Sequence, residues 1–300
     1  MERRQQNWAR PRLACEIMAN GVIAARATDN LSRMELFTWR RLAPGTVAPS
    51  LGGPNIQDGE ALRSALSSAL GAVAGKERDV ILVVPDAAIR VLLLDFESLP
   101  AKTQEVDPII RFRLKKSLPF DVDHAAVSYD INRDNGNVRV VAAVSPRAVI
   151  DDYETALRDA GYQPGVVLPS SLAALGLVEG TQPTLVLKVD AVNIAIVAAQ
   201  NQELRLVRTL ENPHGAEVTA AELAEAVLPS IVFFEDAFAA RIEQICIGGL
   251  APIDEVGPLL HQQTGAEVRE LAPDISSDQN LSGEKVEPSA LAGVVGALLG

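Results

Sequence analysis

The sequence predicts a duplicated α/β fold with a small α+β insertion, and three observations carry that expectation. A three-strand meander near the start, Leu13–Ile17, Val22–Ala27 and Met34–Leu42, returns in the second half as Thr184–Asp190, Asn193–Ala199 and Glu203–Leu210. An acid followed by a turn and two strands begins at Glu16 and again 174 positions on, at Asp190, and the third strands end alike in Trp39-Arg40-Arg41-Leu42 and Val207-Arg208-Thr209-Leu210. Each meander is followed by a helix and a strand, while residues 97–167 interrupt the first half with their own strands and helices. Such repetition reads as two α/β halves with a cleft between them. The expected units are 1–96, an inserted subdomain at 97–167, and 168–300. The final helix, 288–299, is expected to pack back on the first half.

Each element has a local reason. Residues 1–11 are polar and expected to fray. Asn20-Gly21 makes the first hairpin turn. Residues 43–58 form a Pro/Gly-rich connection, and 60–73 a helix with Leu62, Leu66, Ala69, Leu70 and Val73 on one stripe. Val80–Val84 and Ile89–Phe96 read as strands. Within 97–167, a helix over 104–116 takes Thr103 as its N-cap, and a hairpin turns at Asn135-Gly136. Ser145 caps a second helix that has Pro146 in its first position and stops at Gly161. Thr219-Ala220-Ala221-Glu222 is a capping box opening a helix to about 240, interrupted at Pro229. Gln244–Ile247 is a strand, Gly248-Gly249 a turn, Ile253–Thr264 a helix, and 274–287 an exposed loop.

Composition narrows the function classes. The 300 residues carry 27 Lys plus Arg against 39 Asp plus Glu, a formal charge of −12. Phosphate neutralisation needs clustered cations, so nucleic acid is excluded as a partner, whereas a basic partner is favoured. Cys15 and Cys246 lie in separate apolar runs, which fits buried thiols in a reducing compartment. Glu16 and Asn20 interrupt the apolar stretch that a signal peptide would need, and the apolar tail 291–299 is far short of the ~20 residues of a spanning helix. No membrane span is expected.

A set of segments carries a family resemblance. These are Ile81-Leu-Val-Val-Pro-Asp86, Arg90-Val-Leu-Leu-Leu-Asp95, Leu99-Pro100 and, most specifically, a helix from Ile110 running into Leu118-Pro119-Phe120. Tyr129-Asp130 and the helix ending Ala160-Gly161-Tyr162 add to it. Together they resemble PilM, the cytoplasmic protein of type IV pilus machines. The L-type subunits of type II secretion systems are the neighbouring family. The resemblance implies a duplicated actin-like, ribonuclease H-like, two-lobe fold with a small α+β subdomain. It implies a partner too, the cytoplasmic N-terminal peptide of a PilN-like single-span protein, at the inner face of the inner membrane. Pilus assembly ATPases, other platform proteins and self-association into a ring are further implied partners.

The same resemblance places ATP in the interlobe cleft, and the sequence departs from that pattern. Met18 stands where a glycine is expected in the first phosphate loop, and Ile23 where a lysine is expected. Ala191-Val192-Asn193 lacks the glycine of the second loop, Glu211-Asn212-Pro213 replaces paired glycines, and the adenosine-lining helix is missing between Asn212 and Thr219. The expected remnant site is Glu16, Asn20, Asp190, Asn193, Gly248 and Gly249. There Glu16 and Asp190 are either polar strand-end residues or water-mediated Mg²⁺ ligands. ATP with Mg²⁺ is therefore expected to bind weakly or not at all, which favours a scaffold over an ATPase. The histidines, His124, His214 and His261, form no catalytic set, and no Walker lysine occurs. The expected partner-binding residues are Arg111, Lys115, Leu118, Pro119 and Phe120. Their apolar edge faces the peptide, and Arg111 and Lys115 either hold carboxylates of the protein or face the membrane.

Overall fold

The computed structural model describes residues 10–134 and 137–300. The hairpin turn expected at Asn135-Gly136 and the first nine residues lie outside the described residues.

The chain opens with β1 (Leu13–Met18), β2 (Gly21–Ala27) and β3 (Met34–Arg41), an antiparallel meander. Helix α1 (Gly59–Val73) then starts at Asp58, whose carboxylate accepts from the Ala61 N–H. β4 (Asp79–Val84) lies parallel to β1. β5 (Arg90–Phe96), α2 (Thr103–Leu114), β6 (Ala125–Asp134) and β7 (Asn137–Pro146) follow, then α3 (Arg147–Asp159), β8 (Gln163–Pro169) and the short α4 (Ser170–Ala174). The second half has β9 (Thr184–Val189), β10 (Asn193–Gln200), β11 (Glu203–Glu211), α5 (Ala220–Phe238), β12 (Gln244–Gly249), α6 (Ile253–Thr264), β13 (Glu267–Glu270) and α7 (Ala292–Leu299).

Three sheets result. Two have five strands in the same order, β3-β2-β1-β4-β8 and β11-β10-β9-β12-β13, and the third is β5-β7-β6. The expected duplication is thus present in the strand order itself. Helices α1 and α3 bury one face of the first sheet around Leu62, Leu66, Leu70 and Tyr153. Helix α7 covers the opposite face through Val294, Val295 and Leu298. Helices α5 and α6 cover the second sheet around Val227, Phe234 and Leu260. In the small sheet Val106, Ile110 and Leu114 of α2 pack on Val140, Ala142 and Val144. Between the large sheets Ala174, Val186, Val197, Cys246 and Ala292 form an apolar floor.

Several local expectations are corrected. The small sheet takes β5, while α3 and β8 join the first large sheet, so its chain boundaries differ from 97–167. Lys102, not Thr103, is the N-cap of α2. Ser145 and Pro146 end β7, and Ser145 Oγ donates to the Ala88 carbonyl instead of capping α3. Helix α5 runs unbroken through Pro229, because the apolar stripe Leu223–Phe234 is buried on both sides of it. The segment 274–287 is largely exposed, as expected, and is tied to the first sheet by the Leu281 N–H donating to the Phe37 carbonyl, with Ile275 and Val286 packed below α7. Strand β13 has no counterpart in the sequence reading. It is an edge strand of four residues, half-buried and with alternating charge, and it gives little apolar signal.

Candidate functional site: the cleft between the lobes

The two meanders present their first hairpins to one another across the cleft. β1–β2 closes on the pair Met18 and Gly21, and β9–β10 closes with the Asp190 N–H donating to the Asn193 carbonyl. In that register Met18 corresponds to Asp190, and Glu16 corresponds to Lys188. The echo read from sequence as Glu16 against Asp190 is therefore offset by two residues. The correction matters chemically, because the equivalent residues Glu16 and Lys188 carry opposite charges and meet.

Lys188 Nζ donates to Glu16 Oε1 at 3.0 Å, with side-chain exposures of 4% and 0%. Ser170 Oγ, at the start of α4, donates to the same carboxylate oxygen. The other oxygen, Oε2, has no partner among the described residues and lies over Gly293 of α7, where a Cβ would come within 2.4 Å of it. Next to this pair, Asp86 accepts from the Ser171 N–H at 3.0 Å and from its hydroxyl. Burial pushes Asp86 up from 3.8 to about 6, against the pull of Ser171 and Lys188. Burial also raises Asp190, and Lys188 together with two N–H groups opposes it. For Lys188, burial alone would lower the pKa, but Glu16, Asp190 and Asp86 outweigh it and hold the group above its ordinary value. The ammonium is hydrogen-bonded to Glu16 and lies in the field of Asp190 and Asp86.

The expected phosphate loops are occupied by the protein's own groups. Asp190 Oδ1 accepts from both the Val192 and Asn193 N–H groups at 2.8 Å, the donors an anion would require. At the first loop the Trp39 ring lies over Gly21, where a Cβ would be 2.1 Å from the indole. The missing adenosine helix is replaced by a single helical turn, Gly215–Glu217, and the Asn212 amide ties the loop by donating to the Asp190 and Gly215 carbonyls. Gly248 and Gly249 end β12 rather than opening a free turn. Gly249 has φ +83, and a Cβ there would lie 2.0 Å from the Val189 carbonyl, so the glycine serves close strand contact.

Two cavities flank the central pair. One, of about 510 Å³, is lined by Asn20, Trp39, Asp190 and Gly249, and by further carboxylates: Asp254, Glu255, Glu270, Glu284 and Glu287. Its cations are Arg41, Lys188 and Lys285, and each is already paired, with Glu284, Glu16 and Glu287 respectively. The other, of about 460 Å³, is lined by Asp86, Arg90, Asn193 and Asn212. Asn193 is 2% exposed, and both its amide atoms lack partners among the described residues. Of the six residues expected as a nucleotide remnant, Asn20, Asp190 and Gly249 line the first cavity and Asn193 the second, while Glu16 and Gly248 line neither. A polyphosphate does not fit this wall: the second loop's N–H donors are taken by Asp190, and the larger of the two cavities carries six carboxylates against three paired cations. Among the described residues no group of three or more His, Cys, Asp or Glu is placed to hold a metal.

The partner-binding residues expected on the small subdomain lie on it, away from the cleft. Leu118 and Phe120 are half-buried against the small sheet's core, and Pro119 is exposed. Arg111 donates to Asp107 at 2.9 Å and to the Val122 carbonyl at 3.1 Å, and Lys115 reaches Asp123 at 3.4 Å. Sequence reasoning missed Lys188, Asp86, Ser170 and Ser171. The available signal for the first was a lone lysine inside the apolar strand Leu185-Val-Leu-Lys-Val189, which demands a buried counter-charge.

Comparison with solved structures follows from this geometry. A structure described as the PilM-PilN type IV pilus biogenesis complex matches over 97% of this chain and 98% of that one, at TM-score 0.78 and 18% identity. The fold is actin-like. The cytoplasmic domain of EpsL, an inner membrane component of the type II secretion system of Vibrio cholerae, matches over 89% and 91% at TM-score 0.52 and 12% identity. The ethanolamine utilization protein EutJ from Carboxydothermus hydrogenoformans shares the actin-like core over 96% and 89%, at TM-score 0.50 and 7% identity. No family model matches the sequence, and no curated protein matches it. Among the described residues no helix is long and apolar enough to cross a membrane.

Proposed function

We propose that this chain is a PilM-like scaffold of a type IV pilus machine. It binds the cytoplasmic N-terminal peptide of a PilN-like single-span protein at the inner face of the inner membrane, and it does so without turning over nucleotide. One observation carries the reading: the match to the PilM-PilN complex extends over nearly the whole of both chains, while the EpsL domain aligns at a much lower TM-score. Support for the lack of turnover comes from the consumed donors of the second phosphate loop, the Trp39 ring over the first, and the acidic cavity wall described above. In this reading the peptide lies beside the small subdomain. An apolar edge that includes Leu118, Pro119 and Phe120 gives affinity, and the net charge of −12 steers a basic tail. Pilus assembly ATPases, other platform proteins and ring-forming copies of the chain are further partners in this reading. Co-purification from solubilised membranes tests the reading. Recovery of a single-span protein whose N-terminal deletion abolishes capture supports it, and capture that survives the deletion refutes it.

A further inference from the structure

The actin-like cleft has no place for Mg-nucleotide, and the chain supplies a charge pair of its own there. We propose that Glu16 and Lys188 form a charge-matched interlobe lock, which sets the closed arrangement of the cleft from inside the protein.

The two residues occupy equivalent positions of the duplicated hairpins, 172 apart in sequence, so the contact joins corresponding strands of the two sheets. Position along the chain alone would put like residues face to face there. The duplication has instead diverged to opposite charges at the point where its halves meet. Neither side chain has slack. Ser170 holds one oxygen of Glu16, Gly293 of α7 crowds the other, and Lys188 rises from a strand whose six residues are all buried. With the lobes together, each charge is the other's compensation. Remove one, and the remaining charge is buried in a closed cleft, a state that is relieved by opening and letting water in. A neutral pair of similar volume removes that conflict and stays closed, because Asp86 and Asp190 keep their own donors from Ser171, Val192 and Asn193. Closure therefore depends on the match between the two positions, not on either residue alone, and not on a bound ligand.

The test measures interlobe distance in the full chain. Spin labels are placed on cysteines introduced at Ser67→Cys on α1 and Glu225→Cys on α5, both exposed, while the native Cys15 and Cys246 are buried. Both native cysteines are replaced by alanine in every background of this test, because Cys246 lies in the floor between the lobes and would be uncovered by opening. The wild-type background should give one narrow distance distribution, unchanged by millimolar Mg-ATP. Lys188→Met should broaden and lengthen it, and Glu16→Gln with Lys188→Met should restore the narrow wild-type distribution. A Lys188→Met distribution identical to wild type overturns the proposal, as does a wild-type distribution that shifts with Mg-ATP. Should the single variant fail to fold, the double variant decides: recovery of the wild-type distribution supports the lock, and a double variant that folds no better than the single overturns it.

Discussion

Helix α7 crosses α4 so closely that backbone touches backbone, and this makes Gly296→Ala informative. Alanine in place of glycine inside a helix ordinarily gains about 0.5–1 kcal/mol from reduced chain entropy. At Gly296 the added Cβ would sit 2.2 Å from the Ala173 carbonyl oxygen and 3.1 Å from Ala174 Cα. Both are backbone atoms of α4, and on the facing side Gly176 already approaches the Gly296 carbonyl, so neither helix can yield by turning a side chain. Forced overpacking of this kind costs about 1–3 kcal/mol, which exceeds the propensity gain. The net loss is up to about 2.5 kcal/mol, or up to roughly 4 °C in thermal midpoint for a chain of this size. Gly71→Ala is the matched control, since Gly71 lies exposed in α1 and a Cβ added there would meet nothing within 4 Å. It should gain up to about 1 kcal/mol. Scanning calorimetry of the two variants in one buffer gives the comparison. A Gly296→Ala midpoint at or above wild type refutes the reasoning that glycine is there for interhelix contact.

Three further outcomes follow from the cleft and the small subdomain. In urea titrations at pH 7, Lys188→Met should cost about 3–5 kcal/mol, and adding Glu16→Gln should recover most of it; additive losses would contradict the coupling. Asp86 is protonated at about pH 6 in the fold against 3.8 when unperturbed, so the native state binds more protons between those values and stability falls as pH rises through that window. Asp86→Asn should therefore lack up to about 3 kcal/mol of that decline between pH 4 and 7, read by denaturant midpoints at several pH values. Phe120→Ala should weaken binding of the PilN-like peptide by about 1–3 kcal/mol, with the thermal midpoint measured in parallel to separate binding from packing.

The duplication was legible because strand alternation and turn chemistry are local signals, and both meanders carry them in full. Its register was not. Aligning acid with acid put Glu16 against Asp190, while the hairpin closures at Met18–Gly21 and Asp190–Asn193 put it against Lys188. Hydrogen-bond register is a property of the paired strands, and a single strand's residues do not reveal it. Met18 and the glycine-poor second loop are what made a degenerate nucleotide site the expectation. That Asp190 would turn its carboxylate onto its own loop depended on backbone conformation. Ser145 and Pro146 show local propensity overridden, since a sequence with strong helix-start chemistry is drawn into β7 by ten paired residues on β6. Lys102 likewise displaces Thr103 as the cap of α2.

The central claim is peptide capture without nucleotide, and fluorescence anisotropy tests it most directly. The probe is a labelled synthetic peptide with a short apolar segment followed by basic residues, titrated with the full chain to high micromolar concentration, with and without millimolar Mg-ATP. The account predicts one saturable isotherm, identical in both conditions, with an association rate that falls as salt is raised. No saturable binding, or binding that appears only when Mg-ATP is present, would contradict it.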